Sequence, residues 1–166
     1  MDEQTLAPAE GSLEHKARHE AAHAAVAWHL GQTLVAVAIG PDPRDSHVPS
    51  QVPAPTDPEA CRRGALVCLA SEAAGNRDLV KVFRTTDWSR AKGHCEAADP
   101  KSDSGDATFR LFWEARALVA TLEPTIGRLA AALLERRRLD GAEACAILAE
   151  AMASKGGAHA PGSDAR

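Results

Sequence analysis

The sequence lacks several features that define large classes of proteins. Its 166 residues include no tyrosine, three phenylalanines and three tryptophans, so the core must be built mostly from Ala, Leu and Val. Such small side chains suit closely packed helices. The four cysteines form no CxxC pair, which argues against a disulfide framework and favours a reducing compartment such as the cytosol.

The sequence also lacks an excess of basic residues and a long apolar run. The net charge is -4 at pH 7, which gives no electrostatic footprint for nucleic acid. The first residues have no basic segment followed by an apolar one, so no signal peptide is visible. The longest apolar candidate, residues 24–39, is interrupted by polar residues and glycine. We therefore expect no membrane span and a cytoplasmic protein.

The most informative feature that is present is His19-Glu20-Ala21-Ala22-His23, an HExxH pattern. On a helix, residues i and i+4 lie on the same face, so two imidazoles at this spacing can bind one zinc ion. The glutamate between them then lies where it can act as general base on a zinc-activated water. The many neighbouring alanines favour the helix that this arrangement requires. The alternative is a helix face that is merely rich in histidine, since His15 lies one turn earlier.

Local patterns predict a mainly α fold. Apolar periodicity and capping residues indicate helices over residues 13–30, 58–74, 86 to about 94, 107–122, 126–134 and 141–152. Pro124, between the fourth and fifth of these ranges, is expected to kink the helix there or to divide it in two. Residues 33–39 read as a buried strand, whose candidate partners are Gln51-Val52, residues 80–83 or another chain. We expect a compact helical bundle with a minor strand or hairpin beside the HExxH helix.

The helix boundaries are predicted from capping residues. Ser12 is a good N-cap for the first helix, and Asp57 followed by Pro58 is a good start for the second. Thr85 or Thr86 is expected to cap the short helix after it. Asp140-Gly141-Ala142-Glu143 resembles a capping box that opens the last helix.

The sequence predicts one domain with loose ends. Residues 1–11 are expected to be flexible, residues 12–153 to form a single metallopeptidase-like domain, and residues 154–166 to be a disordered tail. Residues 41–58 contain six of the ten prolines and cannot form a regular helix or a central strand. This segment is either a loop that borders a substrate cleft or an ordinary surface loop.

A catalytic zinc ion usually has three protein ligands and one open position. The HExxH pattern supplies two of these ligands. Spacing alone does not choose the third among the downstream candidates, which are Glu72, Asp87, His94, Cys95 and Glu96. A glutamate would complete a thermolysin-like ligand set, and Glu72 is the nominee for that arrangement.

Four segments of the chain resemble a known family. HEAAHAAVAWHLG, followed by VAVAIGPDP, is similar to the HEAGHAVVAWLLG helix and following strand of FtsH-type ATP-dependent zinc proteases. ALVCLASEAAGNR, TTDWSRAKG and LAAALLERRRLDGAEACAIL resemble later segments of that family in the same order, across residues 15–150. The resemblance implies that His19, His23 and Asp87 are zinc ligands, with Asp87 ranked ahead of Glu72, and that Glu20 is the general base. The alternative for Asp87 is a role in starting its own helix.

The resemblance implies a zinc metalloendopeptidase. No GxxxxGK[ST] motif occurs, so we expect ATP-independent hydrolysis of flexible or unfolded polypeptides, with a separate ATPase as a conceivable partner. Two other classes stay open: a zinc-binding but proteolytically inactive regulatory module, and a metal-free helical interaction domain. His94 is a candidate donor to the developing oxyanion, but we expect it to be an ordinary exposed histidine.

Overall fold

The structure, a computed structural model, describes residues 11–40, 57–75 and 79–156. These ranges contain six helices and two short strands, which confirms the mainly α fold with a minor hairpin-like sheet. The elements are α1 (Leu13–His29), β1 (Ala36–Ala38), α2 (Pro58–Gly75), α3 (Leu79–Val82), α4 (Thr86–Ala98), α5 (Ser104–Arg136), β2 (Arg138–Asp140) and α6 (Gly141–Gly156). Most of the proline-rich segment, the first ten residues and residues 157–166 of the predicted tail lie outside the described residues. Residues 154–156, predicted as the start of that tail, belong instead to the last helix, α6.

Helix α1 lies at the centre of the bundle, packed against α2 and α5. It begins at Ser12, whose Oγ accepts a hydrogen bond from the backbone N–H of His15 at 3.1 Å, as the N-cap prediction requires. Every residue from Ala21 to Ala27 is buried. Because most of these side chains are alanine methyls, the neighbouring helices can approach α1 from several sides. Gly31, with a φ of 75°, follows the end of the helix.

The partner of the first strand was predicted wrongly. β1 pairs antiparallel with β2, so that Val37 lies opposite Leu139. Residues 80–82 of the expected partner belong to helix α3, and Gln51-Val52 lies outside the described residues. The true partner was missed because only three residues form it, between two helices. A glycine permits this pairing: a Cβ on Gly141 would lie 1.9 Å from the carbonyl oxygen of Leu34.

Pro124 does not divide the long helix, in contrast to one of the two outcomes expected for it. Helix α5 runs through it for 33 residues. Pro124 is exposed, so the carbonyl group that loses its hydrogen-bond donor can be solvated. Leu122 and Ile126 on either side are completely buried, and their packing outweighs a local penalty of about 3 kcal/mol.

Three predicted helix starts are confirmed. Thr85 caps α4, and its Oγ1 accepts a hydrogen bond from the backbone N–H of Trp88 at 3.1 Å. The Asp57 carboxylate accepts one from the N–H of Ala60 at 3.0 Å. The capping box is reciprocal: the N–H of Glu143 donates to Asp140 Oδ1 at 2.8 Å, and the N–H of Asp140 donates to Glu143 Oε2 at 3.0 Å.

Helix α5 is, in the described part of the chain, the one helix long and apolar enough to cross a membrane by length and composition. A buried core helix meets the same criterion. One face of α5 packs against α1, α2, α4 and α6 and carries fully buried side chains such as Phe112, Leu129 and Leu133.

Candidate metal centre

Two helices bring together the residues that the sequence singled out. His19 and His23 lie one turn apart on α1, and Asp87 lies in the first turn of α4. The Nε2 atoms of the two histidines are 3.3 Å apart. Asp87 Oδ2 lies 3.2 Å from the Nε2 of His19 and 3.3 Å from the Nε2 of His23. These three atoms therefore form a nearly equilateral triangle.

The size of this triangle matches the ligand spacing around zinc. Zinc binds histidine nitrogen and carboxylate oxygen at about 2.0–2.2 Å, almost always in tetrahedral geometry. Two ligand atoms of such a tetrahedron are about 3.3–3.6 Å apart. The observed separations of 3.2 and 3.3 Å fit this spacing without rearrangement of the backbone. The donor set, two imidazole nitrogens and one carboxylate oxygen, is one that zinc accepts.

A hydrogen bond at Nδ1, the ring nitrogen that does not face the triangle, fixes the orientation of His23. Its Nδ1 lies 2.7 Å from the carbonyl oxygen of Val67 on α2, to which an Nδ1–H can donate a hydrogen bond. In the neutral ring with its proton on Nδ1, the Nε2 lone pair is directed into the triangle and can bind a metal ion. In the protonated ring, Nε2–H instead donates a hydrogen bond to Asp87 Oδ2 at 3.3 Å. Metal-binding histidines are commonly held by such a hydrogen bond on the other ring nitrogen.

Asp87 is held in a similar way. The hydroxyl group of Ser71 on α2 donates a hydrogen bond to Asp87 Oδ2 at 3.0 Å. Thr85 supplies the cap of α4, so the Asp87 carboxylate is not needed for that role and contacts the histidines instead. The alternative that Asp87 serves only to start its helix therefore does not describe its contacts. Sequence reasoning missed both Ser71 and the Val67 carbonyl, because nothing in a local pattern marks them.

The charged groups of the site stabilise one another's ionised forms and so shift their pKa values. Burial alone would raise the pKa of Asp87, but the hydrogen bonds from His19 and His23, together with their charges, outweigh burial and lower the pKa far below its usual range. Burial alone would lower the pKa of His23, but its hydrogen bond to Asp87 and the negative charges of Asp87 and Glu20 raise it. The site therefore favours an ionised carboxylate, and a cation between the three ligand atoms would serve in place of the imidazole proton.

Glu20 is buried beside the triangle. Its Oε1 lies 4.0 Å from His19 Nε2, one of the three ligand atoms. The side chain is close to the ligand atoms without belonging to the group that they form. This is the placement that a general base needs if it is to reach a water molecule bound next to a metal ion.

Glu72 lies near the site but outside the ligand group. Among the described residues, His19, His23 and Asp87 are the three His, Cys, Asp or Glu residues whose ligand atoms all lie within 4.8 Å of one another. Burial raises the pKa of Glu72, although a hydrogen bond with Thr85 opposes the shift. The structure therefore places Glu72 as a neighbour of the three residues.

His94 was expected to be an ordinary exposed histidine, and this prediction is wrong. Its side chain is 1% exposed, and neither ring nitrogen has a hydrogen-bond partner. The ring lies against Gly64 of α2, where a glycine leaves room for it: a Cβ on Gly64 would lie 2.4 Å from His94 Cε1. Burial lowers the pKa of His94 and favours the neutral imidazole. It lies apart from the His19, His23 and Asp87 group.

Comparison with known proteins adds no relative to this picture. No protein-family model matches the chain, and no curated protein matches it either.

Proposed function

We propose that this chain is a zinc-dependent, ATP-independent metallopeptidase that hydrolyses peptide bonds in flexible or unfolded polypeptides. The observation that carries the proposal is the triangle of His19, His23 and Asp87 ligand atoms, spaced like three ligands of one tetrahedral zinc ion. The resemblance of the four sequence segments to FtsH-type zinc proteases supports the same assignment, including Asp87 as the third ligand.

Each residue has a defined role in this mechanism. Zinc bound at the site would polarise the scissile carbonyl group and lower the pKa of a water molecule towards neutrality. Glu20 takes a proton from the attacking water and delivers it to the leaving amine. The Val67 carbonyl holds His23 in the tautomer whose Nε2 is free, and Ser71 holds the Asp87 carboxylate towards the histidines.

These 166 residues contain no ATP-binding motif, so we infer that they act on a polypeptide that reaches the site already extended. A separate ATPase could deliver unfolded segments, whereas peptides and flexible termini would need no such help. We infer that short peptides and unstructured proteins are the most accessible substrates for the chain by itself.

The test combines metal analysis with peptide hydrolysis. Purified protein should contain about one zinc per chain, and His23→Ala and Asp87→Ala should lose most of it. Glu20→Gln should retain zinc but cleave an internally quenched, unstructured peptide at least about 100-fold more slowly, since a general base contributes about 10²–10⁴-fold. Glu14→Gln is the matched control, because Glu14 is an exposed carboxylate in the first turn of the same helix.

The outcomes separate the three classes of function. Zinc binding without any Glu20-dependent cleavage would assign the chain to the inactive, zinc-binding modules. Absence of zinc from the wild type after reconstitution, with stability unaffected by chelators, would leave a metal-free helical interaction domain. Cleavage that survives in Glu20→Gln would contradict the proposed role of Glu20.

A further inference from the structure

Nearly all of the aromatic residues lie in one cluster, which includes none of the three ligand residues. Phe83 and Phe109 have ring centroids 6.4 Å apart, and Phe109 and Trp113 have theirs 6.1 Å apart. Beneath them, Trp88 lies 4.7 Å from Phe83 and 6.3 Å from the buried ring of Phe112. Five of the six aromatic residues in the chain therefore form a continuous layer on α4, α5 and the turn that follows α3.

The outer side of this layer is open to solvent. Phe83 is 45% exposed, Phe109 39% and Trp113 46%, and the nearby Val80 on α3 is 63% exposed. Among the described residues, only one other large hydrophobic side chain, Val35, is exposed to a similar degree. Single exposed apolar residues are ordinary, but a contiguous group of large ones marks an interaction site. We call Val80, Phe83, Phe109 and Trp113 the aromatic surface.

Arginine borders the aromatic surface. The Arg116 guanidinium lies 5.4 Å from the ring centroid of Trp113, within the range of a cation–π contact. Arg84 directly follows Phe83 in the chain and is exposed. Within the described ranges, neither arginine forms a salt bridge with a carboxylate. The margin thus carries two guanidinium groups and one exposed carboxylate, Asp106, one turn before Phe109 on α5. Its net charge is positive, on a chain whose net charge is negative.

The chemistry of the surface favours one kind of occupant. A symmetric contact with a second copy would bring the same positive margin against itself, which is unfavourable. Trp and Arg are the residues most enriched among the energetically dominant contacts of protein–protein interfaces. The planar guanidinium group also matches a carboxylate with two parallel hydrogen bonds, and Asp and Glu supply carboxylates on an unmodified polypeptide.

We propose that the aromatic surface, with Arg84 and Arg116 at its margin, binds an acidic, amphipathic polypeptide segment. Apolar side chains of the segment lie on Phe83, Phe109 and Trp113, and its carboxylates pair with the two arginines. This binding site is distinct from the ligand triangle, and the proposal does not depend on peptide hydrolysis.

The experiment measures fluorescence anisotropy of a labelled peptide composed of Leu and Glu in helical spacing. The protein carries Glu20→Gln, so that the peptide is not consumed if the chain is a peptidase. Trp113→Ala should weaken binding at least about tenfold, as expected for a dominant interface residue. Arg116→Glu should weaken it as well and reduce its dependence on salt. Val35→Ser, which removes an exposed apolar side chain outside the surface, is the matched control and should bind normally.

Several results would overturn the proposal. One is no detectable binding of the Leu–Glu peptide, or binding equal in Trp113→Ala and the control. A Leu–Lys peptide that binds as well as the Leu–Glu peptide would remove the role of the arginines. Trp113-dependent sedimentation with phosphatidylserine vesicles, without peptide binding, would assign the surface to a membrane. A Trp113-dependent shift in gel filtration without peptide binding would assign it to a second copy. Circular dichroism melting confirms that each variant is folded.

Discussion

The contact between His94 and Gly64 predicts that Gly64→Ala lowers the free energy of unfolding when His94 is present and raises it when His94 is replaced by alanine. In the wild type, a methyl group added at Gly64 would lie 2.4 Å from His94 Cε1, 2.7 Å from Nδ1 and 2.8 Å from Nε2. Ordinary carbon–carbon contacts are about 3.5–4.0 Å, so the ring would have to move by about 1 Å or more. The His94 side chain is 1% exposed and also lines a cavity bounded by Asp57 and Leu111, so the displaced ring would have to shift into that cavity and lose its present packing.

The magnitude follows from two opposing contributions. Overpacking of a buried position costs about 1–3 kcal/mol. Replacement of a helix-interior glycine by alanine gains about 1 kcal/mol of helix propensity. Gly64→Ala should therefore lower the free energy of unfolding by up to about 2 kcal/mol in the wild type. In a His94→Ala background the steric conflict is gone, so the same substitution should raise it by about 1 kcal/mol.

The assay is a double-mutant cycle measured by urea unfolding. The coupling free energy between the two positions should be about 1–3 kcal/mol. Gly127→Ala in α5 is the matched control, because a Cβ there has no atom within 4 Å. It should stabilise the protein by the same amount in both backgrounds. If Gly64→Ala stabilises the wild type as much as it stabilises His94→Ala, the ring does not occupy the space beside Gly64 and the reasoning fails.

Two further predictions concern the surroundings of the metal centre. Ser71→Ala should weaken zinc binding by about 10–100-fold in a chelator competition, because the hydroxyl group that holds Asp87 is lost. Ser89→Ala is the control and should have no effect, since the Ser89 hydroxyl group bonds only to the carbonyl group of Thr85 at the start of its own helix. Equal zinc affinities of the two variants would refute the role of Ser71. Burial raises the pKa of Glu72 above 4.5, so in metal-free protein its contribution to stability is full below that pH and is lost as the pH rises through the raised value. Glu72→Gln should therefore become more stable relative to wild type as the pH rises in urea unfolding measurements, and parallel pH profiles for the two proteins would contradict this assignment.

Local sequence rules predicted the helices well because their signals are local. The caps at Ser12 and Thr85 and the capping box of Asp140 and Glu143 each depend on residues within one turn. The pairing of β1 with β2 joins positions about a hundred residues apart, and no local pattern could specify it. The burial of His94 depends equally on a distant partner, because the space that receives its ring is created by Gly64 on another helix.

The candidate site was predictable in part for the same reason. The HExxH pattern placed His19 and His23 on one helix face, where the structure has them. Spacing left the third ligand open, and only the resemblance to a protease family preferred Asp87 over Glu72. The residues that hold the ligands, Val67 and Ser71, became visible only once α2 was packed against α1 and α4.

One face of helix α2 makes three contacts with residues of other helices. Gly64 receives His94, the Val67 carbonyl holds His23, and Ser71 holds Asp87, at spacings of three and four residues that align on a single helix face. Single substitutions on this face of α2 are therefore expected to be poorly tolerated. A substitution that rotates or shifts α2 therefore changes three contacts together: the packing of His94 against Gly64, and the hydrogen bonds that orient His23 and Asp87. Laboratory selection for altered metal affinity should thus recover compensating pairs across α2 and α4 more often than single changes on α2.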